Sequence, residues 1–178
     1  MSPMNEKKPR ILVIGDLFLD RYVYYDPALS KPSLETGLMT VTGIKEEFSP
    51  GAAGNVAKNL AMLDVEVIVL GPVGCDGRLY DLERELSKYG ICTQFLIKSQ
   101  AHVTPVYTKF INLTTGEEDL PRLDVPPIGL NETSKAEMLG AIGLLVPTVD
   151  AVVVEDQADI PGRGCVDNEI LCRLLEMR

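Results

Sequence analysis

Ser49 to Leu63, SPGAAGNVAKNLAML, joins a run of small residues to a helix-forming one. Gly51, Ala52, Ala53 and Gly54 carry little or no side chain, so a ligand can approach the backbone closely there. The helix that follows directs its first amide N–H groups at the same place. Asn55, in the first turn, both donates and accepts, which suits a hydroxylated ligand better than a bare anion. A tight strand-to-helix turn with small residues for packing is the alternative. Carboxylates supply the second chemistry, since one can accept from two neighbouring hydroxyls of a sugar. Asp16 and Asp20 follow one short apolar run, and Glu155 and Asp156 follow another. Asp16 reads as a loop or helix cap, Asp20 as a ligand contact. Lys109 and Arg122 are basic residues able to meet a phosphate, set against the reading that a charge on an exposed strand is simply solvated.

These residues need a scaffold, and the chain supplies an alternating one. Ile11 to Ile14 reads as a buried strand whose carboxyl end carries the loop GDLFLDRY, and in open α/β sheets ligands sit at such ends. From Tyr22 to Phe48 no helical period fits, and strands leaving the main sheet as a flap are expected. The helix through Leu63 and a buried strand over Val65–Leu70 complete a strand-helix-strand unit. Gly71, Gly74 and Gly77 follow G-x-x-G-x-x-G rather than the dinucleotide fingerprint, and Asp76 reads as the cap of a helix that Gly90 ends. Ile91–Ile97 is expected as a strand, and Thr104–Leu113 as another that pairs with Glu117–Asp124 across Thr114-Thr115-Gly116. A helix over about Glu132–Leu145 capped by Asn131, a strand at Ala151–Val154 and a helix from about Asp167 with a stripe of Ile170, Leu171, Leu174 and Leu175 close the pattern.

Composition narrows the function. Hydrophobic content of 46% with 24% charged residues reads as a soluble globular chain. A net charge of -9 argues against nucleic-acid or anionic-lipid partners. The cysteines at 75, 92, 165 and 172 form no C-x-x-C pair, and His102 is the sole histidine, so a zinc site has little to draw on and no metal ligand is expected. Met1–Arg10 lacks the apolar run of a signal peptide, and Met138–Val154 is interrupted by Pro147 and Asp150, so a cytoplasmic, membrane-free protein with reduced thiols is expected. The sequons at Asn112 and Asn131 then read as chance matches.

GDLFLDRY, SPGAAGNVAKNL, GPVGCDGRLYDLERELSKYGI, TPVYTKF with PRLD, and DAVVVEDQ resemble, in that order, the N-terminal half of the PfkB or ribokinase-type carbohydrate kinases. Within that family the similarity is nearest the heptose-7-phosphate kinase (ADP-heptose synthase) type. The resemblance runs from Arg10 to about Leu175. It implies an α/β fold: a Rossmann-like ribokinase-type sheet with flanking helices plus a small β-sheet lid, with the C-terminal half missing, so that 1–178 is an incomplete domain with lid strands at about 22–48 and 104–124. It implies ATP- and Mg2+-dependent phosphoryl transfer to a sugar or sugar phosphate hydroxyl, and a homodimer formed through the lid. Asp20 matches the family's sugar-binding aspartate, Gly51 and Asn55 its sugar-binding loop, Lys109 a basic residue of the lid, and Asp156 the acidic residue after the later strand. The loop departs from PGGAAN by reading PGAAGN, which puts Ala52 where the family has its second glycine. The family's D-T-x-G-A-G-D motif, which carries the general base and anion hole, does not occur in these residues. The catalytic residues are therefore expected beyond Arg178, and neither ATP nor Mg2+ is expected to bind well to this chain alone. A non-catalytic module that binds a sugar phosphate or another partner is the alternative.

Overall fold

The computed structural model describes residues 7–177. Its core is a parallel three-stranded sheet in the order β4 (Glu66–Leu70), β1 (Arg10–Gly15), β9 (Ala151–Glu155). β1 is an unbroken apolar run because both of its faces are covered. Val13 packs with Val67, Val69 and Ala57 under α1 (Ala53–Met62) and α2 (Gly77–Ser87). Leu12 and Ile14 pack with Ile68, Leu70, Met138 and Ile170 on the side of α3 (Glu132–Leu145) and α4 (Asn168–Glu176). The split follows the two-residue period of a strand. Three of the four helices start on a side-chain cap, the first two of them expected: the carboxylate of Asp76 accepts from Leu79 N–H at 3.0 Å, the side-chain carbonyl of Asn131 from Ser134 N–H at 2.9 Å, and the carboxylate of Asp167 from Ile170 N–H at 3.0 Å.

A second, four-stranded sheet is ordered β3 (Gly43–Ala52), β2 (Leu17–Tyr25), β7 (Val106–Asn112), β8 (Leu123–Val125). This corrects the reading of GDLFLDRY as a loop. Only Asp16 separates β1 from β2, and the second sheet starts at Leu17 rather than near Tyr22. The reason is alternation: Leu17 and Leu19 turn toward the core, while Phe18 turns to the other face, where it is buried by an edge-on contact with Tyr107 at 4.9 Å. β2 runs antiparallel to β3 and parallel to β7. The turn at Thr114–Gly116 forms as expected, with Asn112 N–H bonded to the Glu117 carbonyl at 2.9 Å, but pairing beyond it is confined to the Ile111–Glu118 bridge and to β8. The expected strand over Ile91–Ile97 is also corrected. Cys92 makes one bridge to Ile68, and the strand there, β6 (Ile97–Ser99), pairs with β5 (Pro72–Gly74). Asn112 is buried and its amide donates to Asp119 at 2.7 Å, which leaves that sequon engaged inside the fold.

The far edge of the core sheet is less covered. β9 pairs only with β1, and Leu171 and Leu175 of the expected α4 stripe stand 40% and 59% exposed, lining an apolar groove of about 490 Å³ with Val152 and Val154. Among the described residues no helix is long and apolar enough to cross a membrane. The residues Met1–Glu6 of the expected polar N-terminus, and Arg178, lie outside the described residues.

His102 is buried, and its Nε2 lies 2.7 Å from the Ser134 hydroxyl in the first turn of α3. Burial holds the imidazole below its ordinary value of 6.5. An unfolded chain takes up a proton that folded His102 resists, so this contribution to stability is full above about pH 6.5 and declines as pH drops through the window beneath. Thermal melting from about pH 7 to pH 5 should show stability falling by up to ~1.4 kcal/mol per pH unit, and His102→Gln should flatten that dependence.

Candidate functional site

Asp20 sits in β2 opposite Ser49 of β3 and Tyr107 of β7, on the same face of the second sheet as Phe18, Tyr22 and Tyr24. Gly51 lies across from Phe18, and a Cβ built on it would stand 3.1 Å from Asp20 Oδ2 and 3.2 Å from Phe18 Cβ. Glycine at 51 is therefore what gives the carboxylate its place. Asp20 is half-buried, and desolvation pushes its carboxyl above the ordinary 3.8 against the opposing pull of Lys109, Arg122 and Lys58. Lys109, in register with Tyr22, holds its Nζ 5.2 Å from the centre of that ring. Arg122 lies 4.4 Å from the Tyr107 ring and makes two bonds to the Asp124 carboxylate, each of 2.6 Å. Arg122 is thus already paired. Among the described residues Lys109 and Lys58 have no carboxylate within ion-pair distance, which leaves two uncompensated cations around one carboxylate.

The cradle has no loop. Gly51 and Ala52 are the last residues of β3, and Ala53 and Gly54 are the first of α1. Ala52 makes the whole change of direction at φ 48, ψ -124, a conformation that glycine adopts at far lower cost than alanine. One of the helix-start amides is spent inside the fold, because Ala53 N–H donates to the Asp16 carbonyl at 3.0 Å. Asn55 is exposed in the first turn of α1, and Lys58 follows one turn later on the same side.

Asp156 is carried by a different segment. It follows β9 and lines a polar hollow of about 360 Å³ with Lys135, Gly164 and Asp167, where Lys135 pairs with Asp167 at 2.7 Å. The fold therefore gathers Asp20, Gly51 and Lys109 on one sheet face, sets Asn55 on the adjoining helix, and holds Asp156 in the loop beyond the core sheet. Asp16, read from sequence as a cap, serves as one for that loop rather than for a helix: its carboxylate accepts from Cys165 N–H at 2.9 Å. Sequence reading missed Lys58 and Tyr107. The signals were present, in the three-residue step from Asn55 along a helix and in the alternation Tyr107-Lys109 along a strand. The four cysteines are free, and among the described residues no group of three His, Cys, Asp or Glu side chains comes together to hold a metal ion.

A hydroxylated ligand fits this arrangement of a desolvated acceptor with cations at a short remove. No family model matches the chain. It is 30% identical over 165 residues to the Bifunctional protein HldE of Marinomonas sp. strain MWYL1, covering 93% of this chain and 33% of that protein. Its fold matches phosphofructokinase-2 from Escherichia coli in complex with fructose-6-phosphate, with a TM-score of 0.62 at 19% identity over 95% of this chain and 50% of that one. It also matches ribokinase from Arabidopsis thaliana complexed with ribose and ATP, with a TM-score of 0.52 at 15% identity over 83% of this chain and 45% of that one. The chain spans about a third of the length of the curated relatives it matches and about half of the solved structures.

Ala52 generates a direct test of the strand-to-helix joint. A strained φ costs of order 1–3 kcal/mol, partly offset by the extra freedom glycine brings to the unfolded chain. Ala52→Gly should raise stability by about 1 kcal/mol, measured by denaturant unfolding.

Proposed function

We propose that this chain, which carries the ribokinase-type sugar-kinase fold, is the sugar-binding portion of an ATP-dependent carbohydrate kinase acting on a sugar or sugar phosphate hydroxyl. The observation that carries the reading is the half-buried Asp20 carboxylate set against Gly51. An ionised carboxylate held out of water is stabilised by ligand hydroxyls that donate to it, and Gly51 gives that carboxylate its place. Asn55 adds a further polar contact from the helix. Lys109 and Lys58 give a phosphorylated substrate its counter-charge, in a protein whose net charge of -9 otherwise repels anions. Asp156, set in the loop after β9, belongs in this reading to the far side of the crevice.

Phosphoryl transfer needs a general base, an anion hole and nucleotide contacts placed around the transferring group. The glycine-rich motif that supplies the first two in the resembled kinases does not occur in these 178 residues. In this reading the groups that hold ATP with Mg2+ are not supplied by these residues, and the chain by itself binds sugar without catalysing. A second reading, a non-catalytic sugar-phosphate-binding module, is favoured by that same missing motif. Self-association through the second sheet is supported by the segment joining β2 to β3 and the start of β3, where Leu34, Leu38 and Met39 stand 106%, 72% and 63% exposed and Ile44 55%. The free cysteines accord with a reducing, cytoplasmic setting.

Calorimetric titration with ribose, fructose 6-phosphate and a heptose 7-phosphate tests the proposal. At least one should bind, and Asp20→Ala should weaken it about 10- to 100-fold through loss of hydrogen bonds to a charged group. Gly51→Ala, which sets a methyl against Asp20 and against Phe18, itself held by Tyr107, should weaken it to a similar extent. Binding should also decline on acidification as Asp20 is protonated, starting at a higher pH than its ordinary value of 3.8 implies, because its carboxyl is pushed up in the free protein. Turnover of Mg-ATP by this chain would overturn the claim that it is catalytically incomplete.

A further inference from the structure

Asp16 is the single residue between β1 and β2, where the chain leaves the core sheet for the second one. Its carbonyl accepts from Ala53 N–H at 3.0 Å, which ties the joint to the start of α1. Its carboxylate is 1% exposed and accepts from Cys165 N–H at 2.9 Å and from Gln157 N–H at 3.4 Å. Those two amides lie near opposite ends of the loop that joins β9 to α4. The loop closes on the joint elsewhere too. A Cβ on Gly164 would stand 3.1 Å from Asp16 Oδ2 and 3.0 Å from both Asp156 Oδ1 and the Ala158 Cβ, so glycine lets the chain pass closely between the two carboxylates and any larger residue has to displace a neighbour. A buried carboxylate is disfavoured unless its acceptors are used, and here the acceptors are spent on backbone N–H groups of a segment without strands or helices of its own. Desolvation pushes the Asp16 carboxyl above its ordinary value, with the bonds from Cys165 and Gln157 opposing and the Asp156 charge adding to the rise.

We propose that Asp16 is a positioning residue for the crevice: one side chain and its own carbonyl together set the root of the second sheet, the start of α1 and the loop that carries Asp156. Ligand affinity then depends on a residue that acts through backbone partners rather than by contact. The proposal rests on the sugar-site reading for its effect on affinity, but not for its effect on the loop.

Asp16→Asn tests it, because the amide keeps the size of the carboxylate while turning an NH2 toward one of the two N–H groups it must accept from. The variant should melt close to the parent chain. Amides of Gln157 and Cys165 should exchange about tenfold faster or more, and affinity for whichever of ribose and fructose 6-phosphate the parent binds should fall about tenfold. The Cys165 amide resonance of the parent should also titrate with an apparent pKa above the ordinary aspartate value, and that titration should vanish in the variant. The titratable groups facing Asp16 are Asp156, the Cys165 thiol and, from the second sheet, Tyr107; the substitution leaves all three in place, so the titration lost in the variant is that of Asp16. Unchanged affinity in a variant whose two loop amides exchange faster overturns the positioning role, and unchanged exchange overturns the latch itself. If the parent binds neither sugar, the sugar reading fails separately, and the latch stands or falls by exchange and titration. Should Asp16→Asn not fold, Gly164→Ala displaces the loop with Asp16 intact, and parent-like affinity in that variant overturns the proposal.

Discussion

Leu12, Val13 and Ile14 are fully excluded from water because β1 is flanked by β4 and β9 within the sheet and by a helical layer on each face. Each of these side chains contributes about 1.5–3 kcal/mol of burial, and none can turn outward without moving its neighbours in both layers. The strand therefore ends at a defined point, and the polar residue that follows has a defined place. Asp16 occupies it. A chain that must pass from a fully buried strand into a second sheet within one residue needs hydrogen-bond partners for that residue, and the loop after β9 provides them. The position of the second sheet, and with it Asp20, descends from the packing of β1.

The candidate site holds an electrostatic tension of a kind that ligands relieve. Desolvation works against the Asp20 charge, while Lys109, Arg122 and Lys58 work for it. Arg122 spends its charge on Asp124 and its face on Tyr107, and Lys109 rests against Tyr22. The Tyr22 ring holds Lys109 in place without neutralising it, which a carboxylate partner would do. The strained turn at Ala52 belongs to the same economy of space: with no loop between β3 and α1, one residue makes the turn so that Gly51 stays beside Asp20.

The opposite end of the core sheet shows what a lack of such constraints looks like. β9 has a partner on one side only, and the α4 stripe splits into Ile170, which is buried, and Leu171 and Leu175, which are not. An amphipathic pattern states that a helix has an apolar face; it does not state how much of that face finds cover.

The elements set by local physics were legible from sequence. Caps at Asp76 and Asn131 satisfy amides within three residues, so type and spacing suffice to place them. The central strands were legible for a similar reason, since an unbroken apolar run of that length has to be buried on both faces. Asp20, Gly51 and Lys109 were named from residue type and resemblance, but their meeting on one face was not readable, because it depends on the register of β2 with strands that begin about 18 and 81 residues further on than Tyr25. GDLFLDRY was misread as a loop because its glycine and two aspartates signal a turn locally, while burial of Leu17, Phe18 and Leu19 by distant partners makes it a strand. Lys58 and Tyr107 were brought beside Asp20 through tertiary packing alone. Sequence determines which residues can do chemistry and which segments must be buried; the distances between the former are decided by how the latter pack.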